Sequence, residues 1–176
     1  LVEMHIESGT AAIVSMGTTG ESATLDMGEH CEVMRRTVEM AAGRIPVIGG
    51  TGSNSTTEAI ELTRCAQQGG ADACLLVAPY YNKPTQQGLY LHHKSIAESV
   101  DSPQILYNVP GRTSSNILPE TVIRLAAIPN VVAIKEASGS LTQVSEILAK
   151  AGDKIDVLSG DDFLTFPMMA CGAKGV

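Results

Sequence analysis

Val131-Val132-Ala133-Ile134-Lys135-Glu136-Ala137-Ser138 is a β-branched apolar run closed by small turn residues, the pattern of a buried strand. Comparable runs recur at Ala11 to Met16, Ile45 to Ile48, Ala73 to Ala78, Gln104 to Val109 and Asp156 to Ser159, and Gly172 to Val176 begins another. Their spacing is about 30 residues, the length of one strand and helix unit. Between them lie helical patterns with recognisable ends. Glu29 to Ala42 stops at Gly43; Ser55-Thr56-Thr57-Glu58 reads as a capping box for a helix that stops at Gly69-Gly70; Ser140 and Gln143 open another that ends near Gly152. Pro119 fits a first helical turn, and Asp161-Asp162 caps the segment that ends at Gly172.

Buried strands alternating with helices imply an α/β fold with a parallel sheet and helices outside it. A (β/α)8 TIM barrel and an open doubly wound sheet both satisfy that pattern. No strand is followed by G-x-G-x-x-G or by G-x-x-x-x-G-K-[ST], which lowers the nucleotide-binding open sheets and favours the barrel. A barrel needs eight strands and typically about 250 residues. The expectation is therefore a single domain over residues 1–176, an interior fragment comprising about strands 2 to 7 and the start of strand 8. Its first residues, with Leu1, Val2, His5 and Ile6 apolar or amphipathic, read as part of a helix.

The formal net charge of −7 argues against nucleic acid and anionic membrane as partners, since either requires a basic face to displace counterions. No apolar run approaches membrane length, and the first residues lack the features of a signal peptide, so a cytoplasmic protein is expected. Cys31, Cys65, Cys74 and Cys171 show no C-x-x-C spacing and are expected to be reduced core residues. His92 and His93 are adjacent, which on a helix points them about 100° apart, too divergent to clamp one ion. No metal motif is present in the sequence.

Lys135 is the anomaly in its strand. Burial disfavours the charged ammonium and lowers its pKa, and a neutral amine at the C-terminal end of a barrel strand can form a Schiff base with a carbonyl compound. Pairing with a neighbouring acid, or snorkelling past the strand end, is the structural alternative. Other polar residues gather where strands turn into loops. Gly17-Thr18-Thr19-Gly20-Glu21 offers hydroxyls and backbone amides that can hold a carboxylate, or an ordinary glycine turn. Pro79-Tyr80-Tyr81-Asn82 ends a later run, and Gln104 to Thr113 places Tyr107 inside a strand with Arg112 just beyond it. A lysine nucleophile, a tyrosine and threonine proton relay and an arginine for carboxylate binding suit an aldolase working on a keto acid.

Gly17 to Glu21, Pro79 to Asn82, Leu106-Tyr107-Asn108-Val109-Pro110, Ile134 to Ala137 and Ser159-Gly160-Asp161-Asp162 together resemble, in order and spacing, the dihydrodipicolinate synthases, pyruvate-dependent class I aldolases related to N-acetylneuraminate lyase. The resemblance covers essentially the whole chain. It implies a homotetrameric barrel enzyme of lysine biosynthesis that condenses pyruvate with aspartate semialdehyde. By that match Lys135 forms the imine with pyruvate and Tyr107 passes protons. Thr18 links Tyr107 to Tyr81, which reaches in from a neighbouring subunit. Thr19 holds the pyruvate carboxylate, Arg112 binds the semialdehyde carboxylate and Gly160 lines the pyruvate pocket. The imine is the electron sink, so no metal or organic cofactor is implied. Sialic acid lyases carry serine then threonine at the positions of Thr18 and Thr19 and lack the Val-Pro-Gly-Arg stretch, which favours the synthase over a sibling keto-acid aldolase; an intact catalytic set argues against a non-catalytic binding protein. In feedback-inhibited members free lysine binds between subunits, at positions matching Ser22, Ala23, His30, Asn54, Glu58 and Tyr80. Glu58 is also the fourth residue of the expected capping box, and Met27 departs from the histidine that some inhibited members carry.

Overall fold

The computed structural model describes residues 1–176. Six strands, β1 (Ile13–Ser15), β2 (Val47–Gly50), β3 (Ala73–Val77), β4 (Gln104–Asn108), β5 (Val131–Glu136) and β6 (Asp156–Ser159), form one parallel sheet in the order β1-β2-β3-β4-β5-β6. That order decides between the two architectures the sequence allows. A doubly wound sheet reverses strand order at a switch point, whereas right-handed crossovers in unbroken sequence order put every helix on one face and curl the sheet into a barrel arc. Gly175 extends the series through an isolated parallel bridge to Leu158, where a longer run from Gly172 was expected.

The helices are α1 (Val2–Glu7), α2 (Met27–Ala41), α3 (Thr56–Gln68), α4 (Gln86–Ser99), α5 (Pro110–Thr113), a single turn in the loop after β4, α6 (Pro119–Leu125), α7 (Leu141–Ala151) and α8 (Thr165–Cys171). None is long and apolar enough to cross a membrane. Helix α2 starts earlier than the Glu29 read from the sequence because Asp26 accepts from the Glu29 amide at 2.9 Å while the Glu29 carboxylate accepts from the Asp26 amide at 3.3 Å. Ser55 and Ser140 cap α3 and α7 as expected, accepting from the amides of Glu58 and Gln143. The Ser55 box is only half made. Glu58 turns its carboxylate to the Ser53 hydroxyl at 2.6 Å, and Ser53 takes the Ser55 amide at 3.1 Å, so the Glu58 side chain is free of the capping duty assigned to it.

Strand alternation divides the apolar residues between two regions. Outward-facing Leu106, Ile134 and Val157 are fully buried against Leu89, Val122, Val144 and Ile147 of the helices, the main core. Leu75, Ile105, Tyr107 and Ala133 face inward and form a separate, smaller cluster. The sheet is drawn tight at the top of β2, where a Cβ on Gly50 would sit 2.1 Å from the Met16 carbonyl oxygen, so only glycine fits there.

The cysteines correct the sequence reading. Helices α2 and α3 lie side by side with the Cα atoms of Cys31 and Cys65 6.1 Å apart, and the two are joined in a disulfide. A separation of 34 residues gives no sign of that proximity before the helices are packed. Cys74 is buried and free, while Cys171 is exposed at the end of α8 rather than in a core.

On α4, His92 is hydrogen-bonded to the Thr56 hydroxyl at 2.8 Å, and fully buried His93 has no partner for either ring nitrogen. Burial pushes His93 down to about 3, with the neighbouring His92 adding to the effect, and burial pushes His92 down to about 4. A group whose folded pKa is depressed favours the folded state less as pH falls below its unfolded value, because the unfolded chain takes up the proton first. His93 therefore costs stability from about pH 6.5 downward. Between pH 7 and pH 5 the protein should lose about 2 kcal/mol more unfolding free energy than its His93→Phe variant, measured by urea melts at the two pH values. Equal losses would show that His93 is not held neutral.

Candidate active site

The polar residues collect at the C-terminal ends of the strands. Parallel register sets Tyr107 of β4 directly beside Lys135 of β5, both on the inward face, with the Lys135 Nζ 4.7 Å from the centre of the Tyr107 ring. Tyr107 is buried and Lys135 half-buried. Burial holds the Lys135 amine below the usual lysine range, against the opposing pull of the Asp162 carboxylate. Burial also raises the Tyr107 phenol, against the Arg112 guanidinium. The outcome is a lysine that loses its proton more readily than a surface lysine, beside a phenol that keeps its own.

Gly160, after β6, supports the lysine from the side. A Cβ there would lie 2.8 Å from that of Ala137 and 3.1 Å from the Lys135 Cε, so glycine is required for the lysine chain to pass. Opposite, Thr18 to Gly20 form a 3₁₀ turn after β1. The turn uses the amides of Gly20 and Glu21 on the carbonyls of Gly17 and Thr18, leaving the amides of Thr18 and Thr19 unbonded and available to an anion. Thr18, Thr19, Tyr107 and Lys135 wall a cavity of about 120 Å³. The structure thus brings together Lys135, Tyr107, Thr18, Thr19 and Gly160. Lys135 forms no salt bridge, and its amine lies over the Tyr107 ring.

A second cavity of about 270 Å³ lies beside the first, with Thr18 lining both. Its walls include Ser22, Ala23, His30, Glu58, Tyr80 and, on α5, Arg112. His30 is buried and donates from Nε2 to the Gly50 carbonyl at 2.7 Å. Asn54 does not line this cavity; its side chain donates to the Tyr80 carbonyl at 3.2 Å and steadies that residue from behind. Tyr81 stands apart from both. It is 88% exposed, its backbone takes the left-handed conformation (φ 71°), and its amide donates to the Thr113 carbonyl at 3.3 Å.

A model described as the dihydrodipicolinate synthetase family matches residues 1–176. The chain belongs to that family. The 4-hydroxy-tetrahydrodipicolinate synthase of Geobacter sulfurreducens is 68% identical over 176 residues, which cover 100% of this chain and 61% of that protein. Among solved structures, the chloride-inhibited dihydrodipicolinate synthase from Acinetobacter baumannii complexed with pyruvate superposes with a TM-score of 0.96 at 54% identity, over 99% of this chain and 60% of that one. The dihydrodipicolinate synthase from Cyanidioschyzon merolae with lysine bound superposes with a TM-score of 0.96 at 47% identity, again over 99% of this chain and 60% of that one. The chain therefore spans about three fifths of the length of the relatives it matches.

Asp162 and Glu136 escaped the sequence reading of this family member's site. The sequence pairs Asp162 with Asp161 as a helix cap, yet only Asp161 caps, accepting from the Phe163 amide at 3.1 Å, while Asp162 acts on Lys135 through its charge. Glu136 carried a visible signal, a second ionisable residue in an otherwise apolar strand.

The lowered pKa can be read directly. In competitive labelling with acetic anhydride across pH, followed by mass spectrometry, the midpoint for Lys135 should fall below that for Lys150, which Glu146 holds above the usual range. Coincident midpoints would mean that Lys135 is fully solvated.

Proposed function

We propose that these residues carry the Schiff-base chemistry of a 4-hydroxy-tetrahydrodipicolinate synthase, a lyase of lysine (diaminopimelate) biosynthesis that condenses pyruvate with L-aspartate 4-semialdehyde in the cytoplasm. The observation behind this reading is the half-buried Lys135 amine set against Tyr107 in a cavity edged by the unbonded Thr18 and Thr19 amides. The chain supplies about strands 2 to 7 of the (β/α)8 barrel and the start of strand 8.

The neutral Lys135 amine adds to the ketone carbon of pyruvate, whose carboxylate rests on Thr19 and the adjoining amides. Tyr107, with its proton retained, donates to the departing hydroxyl as water leaves and the imine forms. The protonated imine draws electrons from the neighbouring methyl group, which gives up a proton to the Tyr107 phenolate left by that step and becomes a nucleophilic enamine. That carbon attacks the aldehyde of the semialdehyde, held at its carboxylate by Arg112. The amino group of the semialdehyde then displaces Lys135 from the imine carbon, closing the ring and freeing the enzyme. One water leaves overall, and the imine supplies the electron sink, so the reaction needs neither metal nor organic cofactor. Thr18 connects Tyr107 to a Tyr81 contributed by a neighbouring subunit of a homotetramer, in keeping with the exposure of Tyr81 on its own chain.

The larger cavity is the place for L-lysine as an inhibitor. Glu58 offers a carboxylate to its ammonium group, with Ser22, Ala23, His30 and Tyr80 around it and Asn54 fixing Tyr80. The relative with lysine bound supports this ligand.

In the full-length enzyme, borohydride with pyruvate should fix one adduct on Lys135, and Lys135→Ala should abolish both the adduct and turnover. An adduct on Lys83 or Lys94 would move the chemistry elsewhere. Millimolar lysine should partly inhibit the wild type and leave Glu58→Gln uninhibited, with the melting temperature unchanged because glutamine can still accept from Ser53. Wild-type activity indifferent to lysine would remove the inhibitor site.

A further inference from the structure

On the helix side of β4 and β5, opposite the candidate active site, a polar cluster interrupts the main core. Strand alternation turns Asn108 and Glu136 outward one step beyond the inward pair, and the two are again in register. Asn108 is fully buried and Glu136 is 1% exposed. No cation is paired with this carboxylate; it is held by donors alone. Asn108 Nδ2 donates to its two oxygens at 3.2 and 3.1 Å, the Ser138 amide donates at 2.6 Å and Gln143 Nε2 at 3.0 Å. The cluster extends through Asn116, whose side-chain oxygen accepts from Asn108 at 2.8 Å, and Asn108 Oδ1 accepts from the Ile117 amide at 2.9 Å.

Burying a carboxylate without a counter-charge is costly, and an apolar residue of similar size is the cheaper way to fill a core. What the polar cluster adds is direction. The β4 and β5 pairing carries a register shift between Gln104 and Ile105, so the start of the ladder does not by itself fix the end. A slip of one residue would send Lys135 to the helix face and Glu136 to the pocket. The bonds from Asn108 to both oxygens of Glu136 are satisfied in one register only, and Gln143 ties that register to the first turn of α7.

We propose that Asn108, Glu136 and Gln143 are positioning residues for the Schiff-base step, holding β4 and β5 so that the Lys135 amine meets Tyr107 at the distance the chemistry needs. The inference rests on the function proposed above. It differs from a role in stability alone, because it requires each folded active site to work more slowly when the cluster is altered.

The test uses the full-length enzyme. Active sites are counted by the end point of borohydride trapping with pyruvate, and turnover is expressed per trapped site. Glu136→Gln sets an amide NH2 against the donors of Asn108 and Gln143, and Asn108→Asp sets two carboxylates face to face. Each should lower kcat per site by about ten- to a hundredfold, the scale of a misplacement near 1 Å, while the KM for pyruvate, whose carboxylate rests on the Thr18 turn, stays within about twofold. The double variant Asn108→Asp with Glu136→Gln reverses donor and acceptor and should recover most of the loss. Gln143→Leu removes one donor but keeps the central pair, so it reports on the cluster even if a single variant of that pair does not fold; its kcat per site should also fall. Unchanged turnover per site in every variant that folds, or a double variant no better than the single ones, overturns the proposal. A wild type that pyruvate does not trap at Lys135 refutes the Schiff-base reading itself and takes the inference with it, whereas normal trapping with unaltered turnover refutes the inference alone.

Discussion

The period of two along β5 forces Lys135 and Glu136 onto opposite faces of a strand that is otherwise apolar, and much of the local structure answers to that. Two neighbouring ionisable groups inside a parallel sheet create two desolvation problems, each solved differently. On the inner face the cavity beside Lys135 leaves it half-buried, and its charge is weakened by burial rather than balanced by a bound acid. On the outer face Glu136 is closed off completely and surrounded by donors from β4, α7 and the turn after β5.

The same alternation separates the places where stability and chemistry reside. Large aliphatic residues concentrate between sheet and helices, where Leu106, Ile134 and Val157 lock the strands to α4, α6 and α7. The inward cluster is small and is broken by Tyr107 and the strand ends, so polar groups can project without opening the main core. Around this frame the loops after β1, β3, β4 and β6 deliver Thr18, Tyr80, Arg112 and Gly160. Thr18 belongs to the walls of both cavities, so a shift of the Gly17 to Glu21 turn alters both at once.

Several residues changed meaning once packed. Glu58 looked explained by the Ser55 cap, but Ser53 competes for its carboxylate and leaves it on a cavity wall. Tyr81 is joined in sequence to Tyr80, yet the left-handed backbone at Tyr81 sends the two rings to different surroundings. Cys31 and Cys65 looked like unrelated core thiols until adjacent helices brought them together.

The sequence by itself determined the strands, the helix caps at Ser55 and Ser140, the parallel α/β class and the anomaly of a lysine in an apolar strand, because each depends on residues a few positions apart. Periodicity, capping and the cost of a lysine in an apolar strand are local physics. The polar strand ends pointed to Tyr107, Thr18 and Thr19, family resemblance gave them roles and added Gly160, and the fold gathers all four around Lys135. Tertiary structure decided the rest. The unbroken strand order chose the barrel arc over the open sheet, because both produce the same alternation in one dimension. The Tyr107 and Lys135 register, the charge of Asp162 on the lysine, the donors around Glu136 and the disulfide between α2 and α3 all join residues distant in sequence, and such contacts exist only after the strands and helices have packed.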